Sequence, residues 1–303
     1  MTVHGRARLP EALQPAIDEA LVGGRVGAAV KALKHFASLP KAEQGRPFVL
    51  GVVPTFVVAP LVPLISLALA VEGAAPRVVL GEMDTIEQTL FDPTSEVLAA
   101  QPDAVVVLWR LEDLMSRFVF EPYALGRGDR VALIEATLDR MRGVLDGYAG
   151  SAPLFLSTVP APSPMGGRLI DIHMGSGLAA AAAAINAALY DWAADRPGVY
   201  LFPFAEWAAA AGAAAFSPKM DLFARQPIAA AGSFARELAR CMGPLIRPRA
   251  KVLALDLDNT LWGGVLGEDG LSGLKIGHDF PGNVYRRIQA AAKTLKEQGV
   301  LLV

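Results

Sequence analysis

The sequence predicts an α/β protein built on a parallel sheet that is covered by helices on both faces. Short apolar runs recur along the chain, at residues 48–53, 77–80, 104–108, 153–157 and 199–202. Helical patterns separate them. The runs are continuous rather than alternating apolar with polar, which is the pattern of strands buried on both sides. A length of 303 residues suggests about two domains.

Taken in order, residues 12–22 and 26–39 place apolar side chains at helical spacing around Gly23 and Gly24. Further helical patterns occupy 63–71, 95–99, 130–148, 178–193, 204–211 and 228–242. The alanine runs near 177–185 and 208–215 belong to these helices. Residues 243–249 hold two prolines and two arginines and read as a domain boundary. Beyond it, residues 252–255 form a buried strand. A helix follows from Pro281, with Val284, Ile288, Ala292 and Leu295 as its apolar stripe and Gly299 as its stop. Residues 300–303 begin a second parallel strand.

Hydrophobic residues make up 53% of the chain and charged residues 19%, a balance that excludes disorder. A net charge of −2 gives no electrostatic case for nucleic acid or an anionic membrane. Residues 48–71 carry no charge and are long enough to span a bilayer. However, Gly51, Pro54, Pro60 and Pro63 interrupt the helical ladder a span needs. The stretch therefore splits into a strand at 47–53, a loop and a core helix near 63–72. One cysteine, Cys241, rules out an internal disulfide framework and fits a reducing compartment. No apolar segment follows Met1–Arg6 as a signal peptide would, so the expected location is cytoplasmic.

The strongest chemical signal lies at residues 251–264. The apolar run at 252–255 delivers Asp256 and Asp258 into a turn containing Asn259 and Thr260, followed by Trp262, Gly263 and Gly264. Ligands of parallel α/β sheets bind beyond the carboxyl ends of the strands. A carboxylate at Asp256 can attack phosphorus and form an aspartyl-phosphate. A carboxyl group at Asp258 can protonate the leaving oxygen and then activate water. Two anions facing a phosphate require a hard divalent cation, and Mg²⁺ fits a site of one or two carboxylates. Asp256 and Asp258 are thus also the candidate Mg²⁺ ligands. Asn259, Thr260, Gly263 and Gly264 are the candidate phosphate-binding residues, and Asn259 and Thr260 can fix the turn. The bland alternative is an ordinary Asx-rich turn after a strand.

The complete pattern, an apolar strand and then Asp256-Leu257-Asp258-Asn259-Thr260-Leu261, resembles motif I of the haloacid dehalogenase (HAD) superfamily, mostly Mg²⁺-dependent phosphatases and phosphotransferases. Residues 256–271 are similar to the signature of the FkbH-like branch, which carries a HAD subfamily IIIC phosphatase-like domain behind an SGNH-hydrolase-like domain. Residues 91–97, 101–106 and 221–227 agree in outline, so the resemblance covers about 47–303. It implies a helical segment at 1–45, a three-layer SGNH/flavodoxin-like domain at 46–245, and the first part of a HAD-type Rossmannoid domain at 250–303. FkbH-like proteins take the glyceryl group of 1,3-bisphosphoglycerate, release phosphate and load an acyl carrier protein for polyketide-type biosynthesis. The resemblance therefore assigns Asp256 as nucleophile and Asp258 as acid/base, with Mg²⁺ as cofactor. The implied partners are a phosphorylated three-carbon substrate and an acyl carrier protein, with no nucleic acid or membrane. Residues 262–271 would form a flap beside the site. Gly267-Glu268-Asp269-Gly270 reads as a hairpin turn, with Glu268 and Asp269 solvated and Trp262 packed beside the turn.

The sequence departs from that pattern in three places. The superfamily's hydroxyl, lysine and later acidic motifs follow the second strand, and the 303 residues stop within it, so the chain alone is expected to be catalytically incomplete. A non-catalytic carrier-binding accessory protein and a generic small-molecule phosphatase are the alternatives. Val252 stands where a relay cysteine would suit thioester chemistry, and Cys241, on the preceding helix, reads as a small buried hydrophobe. The SGNH-like domain lacks its hydrolase machinery: Thr55 is the only hydroxyl near the nucleophile position. None of His4, His35, His173 and His278 stands in an Asp-x-x-His arrangement with Asp221. His173 reads as a loop hydrogen-bonding residue, and the domain as one that binds.

Overall fold

The computed structural model describes residues 11–121, 124–162, 171, 173, 176–247 and 250–303. The chain divides into two compact units, Met1–Arg247 and Pro248–Val303.

Unit 1 opens with α1 (Gln14–Leu21) and α2 (Val26–Ser38). Then come β1 (Arg46–Pro54), α3 (Val62–Val71), β2 (Ala74–Leu80), α4 (Ile86–Phe91), α5 (Glu96–Ala99) and β3 (Ala104–Leu108). Two short helices, α6 (Leu111–Leu114) and α7 (Ser116–Phe120), precede the long α8 (Arg127–Asp146) and β4 (Leu154–Ser157). The unit closes with α9 (Leu178–Asp195), β5 (Val199–Phe202), α10 (Phe204–Ala211), α11 (Pro218–Ala224) and α12 (Ala231–Ile246). The five strands form one parallel sheet in the order β2-β1-β3-β4-β5. This is the doubly wound order whose switch point lies between β1 and β3.

Successive side chains of a strand point to opposite faces, and β3 makes the consequence plain. Ala104, Val106 and Leu108 enter the core with α3 and α12, and Val105 and Val107 enter the one with α8 and α9. All five are fully buried, which is why the run carries no polar residue. Helices α1 and α2 belong to the first of these cores, where Ile17, Ala20, Leu21, Ala29 and Ala32 pack with Leu64 and Phe234. An aromatic cluster anchors α10: Phe204 lies 5.6 Å from Trp207 and 5.8 Å from Phe234, centroid to centroid. Burying such a ring contributes roughly 1.5–3 kcal/mol.

The uncharged stretch at 48–71 divides between β1, a single 3₁₀ turn at Ala59–Leu61 and α3. No helix among the described residues is long and apolar enough to cross a membrane. The two units divide within the stretch expected as a boundary, 243–249, between Arg247 and Pro248. Helix α12 runs on to Ile246 with Pro244 inside it, because Leu238, Met242 and Ile246 continue its buried face through the proline. Ser95 caps α5, its hydroxyl accepting from Leu98 N at 3.4 Å.

Unit 2 holds β6 (Val252–Leu253), α13 (Leu266–Gly273), α14 (Gly282–Glu297) and β7 (Leu301–Leu302). The two strands pair in parallel, Val252 with Leu301 and Leu253 with Leu302. Pairing extends one step further, as Leu255 N donates to Val303 O at 2.7 Å. Of the expected stripe on α14, Ala292 is buried, while Val284, Ile288 and Leu295 are exposed. The expected hairpin at 267–270 is instead part of α13. Asp269 Oδ2 accepts from Val265 N at 2.8 Å and ties the first helical turn back to the residue before it, so the segment starts a helix rather than a hairpin. Gly270, at φ 62°, kinks that helix.

Candidate functional site

In unit 2, Asp256 follows directly on the paired backbone of β6 and is exposed. Its Oδ1 accepts from Leu257 N at 2.9 Å. The chain then turns: Thr260 N and Leu261 N both donate to Leu257 O, at 3.3 and 2.9 Å. Asn259 takes the left-handed conformation, φ 56°, which Asn tolerates better than most residues. Its Oδ1 accepts from Gly264 N at 2.9 Å and ties the turn to the glycine pair. Thr260 contributes its backbone N–H to that turn.

Asp258 is half-buried and held from two sides. The Trp262 indole N–H donates to Asp258 Oδ1 at 2.9 Å and Leu266 N to the same oxygen at 3.1 Å. With both donors on Oδ1, Oδ2 is the atom left to carry or accept a proton. Trp262 therefore does more than pack beside the turn: it positions a carboxylate. Gly263 is buried, exchanging backbone hydrogen bonds with Lys275. A Cβ there would meet the Tyr285 ring at 2.8 Å, so glycine is needed for this close approach. Glu268 is exposed on α13.

Unit 1 gathers a second cluster at its switch point. Thr55, just past β1, is only 3% exposed, and its hydroxyl donates to Asp113 Oδ2 at 2.7 Å. Arg110, just past β3, donates from Nε and one terminal nitrogen to both Asp113 oxygens, at 2.9 and 3.0 Å. Its other terminal nitrogen donates to Asp221 Oδ2 at 2.8 Å. Burial by itself would lower the proton affinity of Arg110, but the Asp113 and Asp221 carboxylates outweigh it and hold the guanidinium above its ordinary value. Arg225 reaches in from the end of α11, bonding Thr55 O, Asp113 and Asp84. A hydroxyl this buried, beside an aspartate already engaged by two guanidiniums, has no free base to activate it. Beside the cluster lies a cavity of about 280 Å³ whose lining includes Arg110, Glu112, Phe216 and Asp221.

The remaining expected residues stand apart from both clusters. His173 is exposed, while Asp171 caps α9 by accepting from Leu178 N and Ala179 N at 2.6 and 3.0 Å. Cys241 sits on α12, and burial, aided by Glu237, pushes its thiol up to about 12. It is therefore protonated at neutral pH and a poor nucleophile. Among the described residues no group of three or more His, Cys, Asp or Glu side chains is arranged to hold a metal ion. Sequence reasoning picked out Thr55 and Asp221 but missed Arg110, Glu112, Asp113 and Arg225. The available signal was a charged stretch immediately after the most apolar strand, at residues 110–113.

No protein-family model matches the chain, and no curated protein matches it. Among solved structures it is similar to the N-terminal part of the protein BF1531 from Bacteroides fragilis, containing a phosphatase domain complexed with Mg. The TM-score is 0.72 at 18% identity, over 90% of this chain and 72% of that one. Residues 1–247 alone cannot supply that share, so the likeness extends into unit 2. It establishes a common α/β fold. The C-terminal catalytic domain of Streptococcus pneumoniae peptidoglycan O-acetyltransferase A, with a methylsulfonyl adduct, matches at a TM-score of 0.38 and 11% identity, over 67% of this chain and 97% of that one.

Proposed function

We propose that this chain carries the nucleophile and acid/base pair of a Mg²⁺-dependent, HAD-type phosphoryl-transfer protein. The observation that supports it is the division of labour between two carboxylates at one strand end. Asp256 is exposed and free to approach phosphorus, while Asp258 is clamped through Oδ1 with Oδ2 available for a proton. Asp256 attacks and takes the phosphoryl group as an aspartyl-phosphate. Asp258 Oδ2 delivers a proton to the departing oxygen, then receives one from the water that releases phosphate. Asp256 and Asp258 would together hold Mg²⁺, which needs no more than one or two protein carboxylates, and it would neutralise charge on the phosphate. The donor set fits, since both side chains offer hard oxygens. The similar protein from Bacteroides fragilis is likewise described with Mg.

Within that class, the signature at 256–271 favours an FkbH-like role. The phosphorylated three-carbon substrate would lose phosphate as its acyl unit passes to an acyl carrier protein, with unit 1 serving to bind. Its switch-point hydroxyl is committed to Asp113, which agrees with binding rather than hydrolysis. A protonated Cys241 argues against a thioester relay through this chain. The single thiol suits a reducing, cytoplasmic setting.

The test is to incubate the full chain with Mg²⁺ and a radiolabelled acyl phosphate, then look for hydroxylamine-labile phosphate on the protein. Label retained by Asp256→Asn would refute the nucleophile. Adding an acyl carrier protein separates the finer readings. Phosphate release without acylation of the carrier indicates a generic small-molecule phosphatase, and acylation supports the FkbH-like role.

A further inference from the structure

The switch-point cavity of unit 1 takes no part in the chemistry proposed for unit 2. Its volume of about 280 Å³ has room for on the order of ten non-hydrogen atoms, given a water's share of about 30 Å³. Much of its wall is stiff and apolar, with Pro160, Pro218, Pro227 and the Phe216 ring. Phe120 also lines it and is 59% exposed, so it belongs to the opening. A small, largely preformed apolar cavity with a few convergent polar groups at a switch point is the usual form of a small-ligand site.

The charges decide which ligand. Among the described residues, three ionisable groups line the space: Arg110, Asp221 and Glu112. Arg110 is already paired, since each of its three nitrogens donates one N–H to a carboxylate, of Asp113 or of Asp221. Asp221 is the partner of one of them. Glu112, half-buried, forms no ion pair among the described residues. Burial raises its proton affinity; Arg110 opposes the rise, while Asp113 and Asp221 add to it. Among the described residues this carboxylate has no counter-ion of its own, and it faces a space bounded mainly by proline and aromatic surface.

We propose that this cavity binds a small organic cation, a primary ammonium or amidinium on an apolar body of roughly ten non-hydrogen atoms, with Glu112 as its counter-ion. The cation supplies the charge Glu112 lacks, and a buried charge is costly unless it is paired. Its apolar body fills walls that need no rearrangement. An anion would face the Glu112 and Asp221 carboxylates, and the cation among the described lining residues, Arg110, is already paired with Asp113 and Asp221. The site does not depend on the phosphoryl-transfer reading and would stand if that reading failed.

Calorimetric titration of the full chain with 2-phenylethylammonium, its neutral isostere 2-phenylethanol, and phenylacetate tests the assignment. The ammonium should bind at least about tenfold more tightly than the alcohol, with phenylacetate weakest, the preference expected of one desolvated ion pair. Glu112→Gln should bring the ammonium down to the level of the alcohol. Glu121→Gln, an exposed carboxylate outside the lining, should leave it unchanged. Equal or tighter binding of alcohol or carboxylate, ammonium affinity indifferent to Glu112→Gln, or no millimolar binding of any probe would each overturn the proposal. The ratios on the unmodified protein decide the matter even if Glu112→Gln fails to fold.

Discussion

Both units place carboxylates just past the carboxyl end of a parallel strand, and they treat them in opposite ways. Past β3 in unit 1, Asp113 is 9% exposed and bound by Arg110, Arg225 and Thr55. Past β6 in unit 2, Asp256 is exposed and accepts a hydrogen bond from its own neighbour's backbone. The strand end is the same architectural address in each. What differs is whether the surrounding side chains have already used the carboxylate. A fully paired carboxylate contributes to structure, and an unpaired one is available for chemistry. Position in the fold nominates a site, and the hydrogen-bond inventory around it decides its role.

The largest expected effect breaks the comparison on the unit 2 side. Asp256→Asn should reduce phosphoryl transfer by about 10³-fold or more, as loss of a nucleophile does. Because the side chain is exposed, the unfolding free energy should stay within about 0.5 kcal/mol. A large loss of stability would mean that Asp256 is structural after all. The opposite pattern is expected in unit 1, where Arg110→Met leaves Asp113 and Asp221 without their shared cation. Removing one partner of a buried ion pair costs about 3–5 kcal/mol, to be read by urea unfolding. A loss below about 1 kcal/mol, the scale of an exposed pair, would place this cluster with the solvated ones.

A smaller effect tests how Asp258 is held. Trp262→Phe removes one hydrogen bond to a charged group, about 1.5–3 kcal/mol, so kcat should fall roughly ten- to hundredfold with KM little changed. An unchanged kcat would return Trp262 to a packing role. The smallest effect concerns Thr55→Ser. It should leave the protein without measurable hydrolysis of p-nitrophenyl acetate, since the hydroxyl stays buried against Asp113. Appearance of esterase turnover would show that the cluster is poised rather than closed.

Much of the fold was legible because burial on both faces leaves a plain trace. Residues 104–108 admit no polar side chain, and each strand of the five-stranded sheet overlaps an anticipated apolar run, though the edge strands β2 and β5 carry the exposed Arg77 and Tyr200. Of the short helices, α5 was anticipated at 95–99, while α4, α6, α7 and α11 were not. Helix α11 is seven residues long, with its charges at Lys219 and Asp221, too short for a helical period to stand out. Pro244 suggested that the helix ends at Met242, but the apolar face of α12 continues through the proline to Ile246. The proposed nucleophile and acid/base were legible because they are neighbours in sequence, two residues apart after one strand. The unit 1 cluster was not, because Arg110 meets Asp221 across 111 positions and nothing local announces the pairing. The role of Trp262 was hidden for another reason: its indole N–H and the Asp258 carboxylate meet only through the conformation of a turn.

That long pairing has a consequence for how the protein is made. During synthesis Arg110 can find Asp113 as soon as β3 and α6 have formed, but Asp221 arrives after α9, β5 and α10. Until then one face of the guanidinium has no carboxylate, and the pocket lacks the wall that Pro218 and Pro227 supply. The cavity therefore comes into being only when unit 1 is nearly complete. A ligand that occupies it would discriminate finished molecules from partly built ones, a property useful in following maturation of the chain.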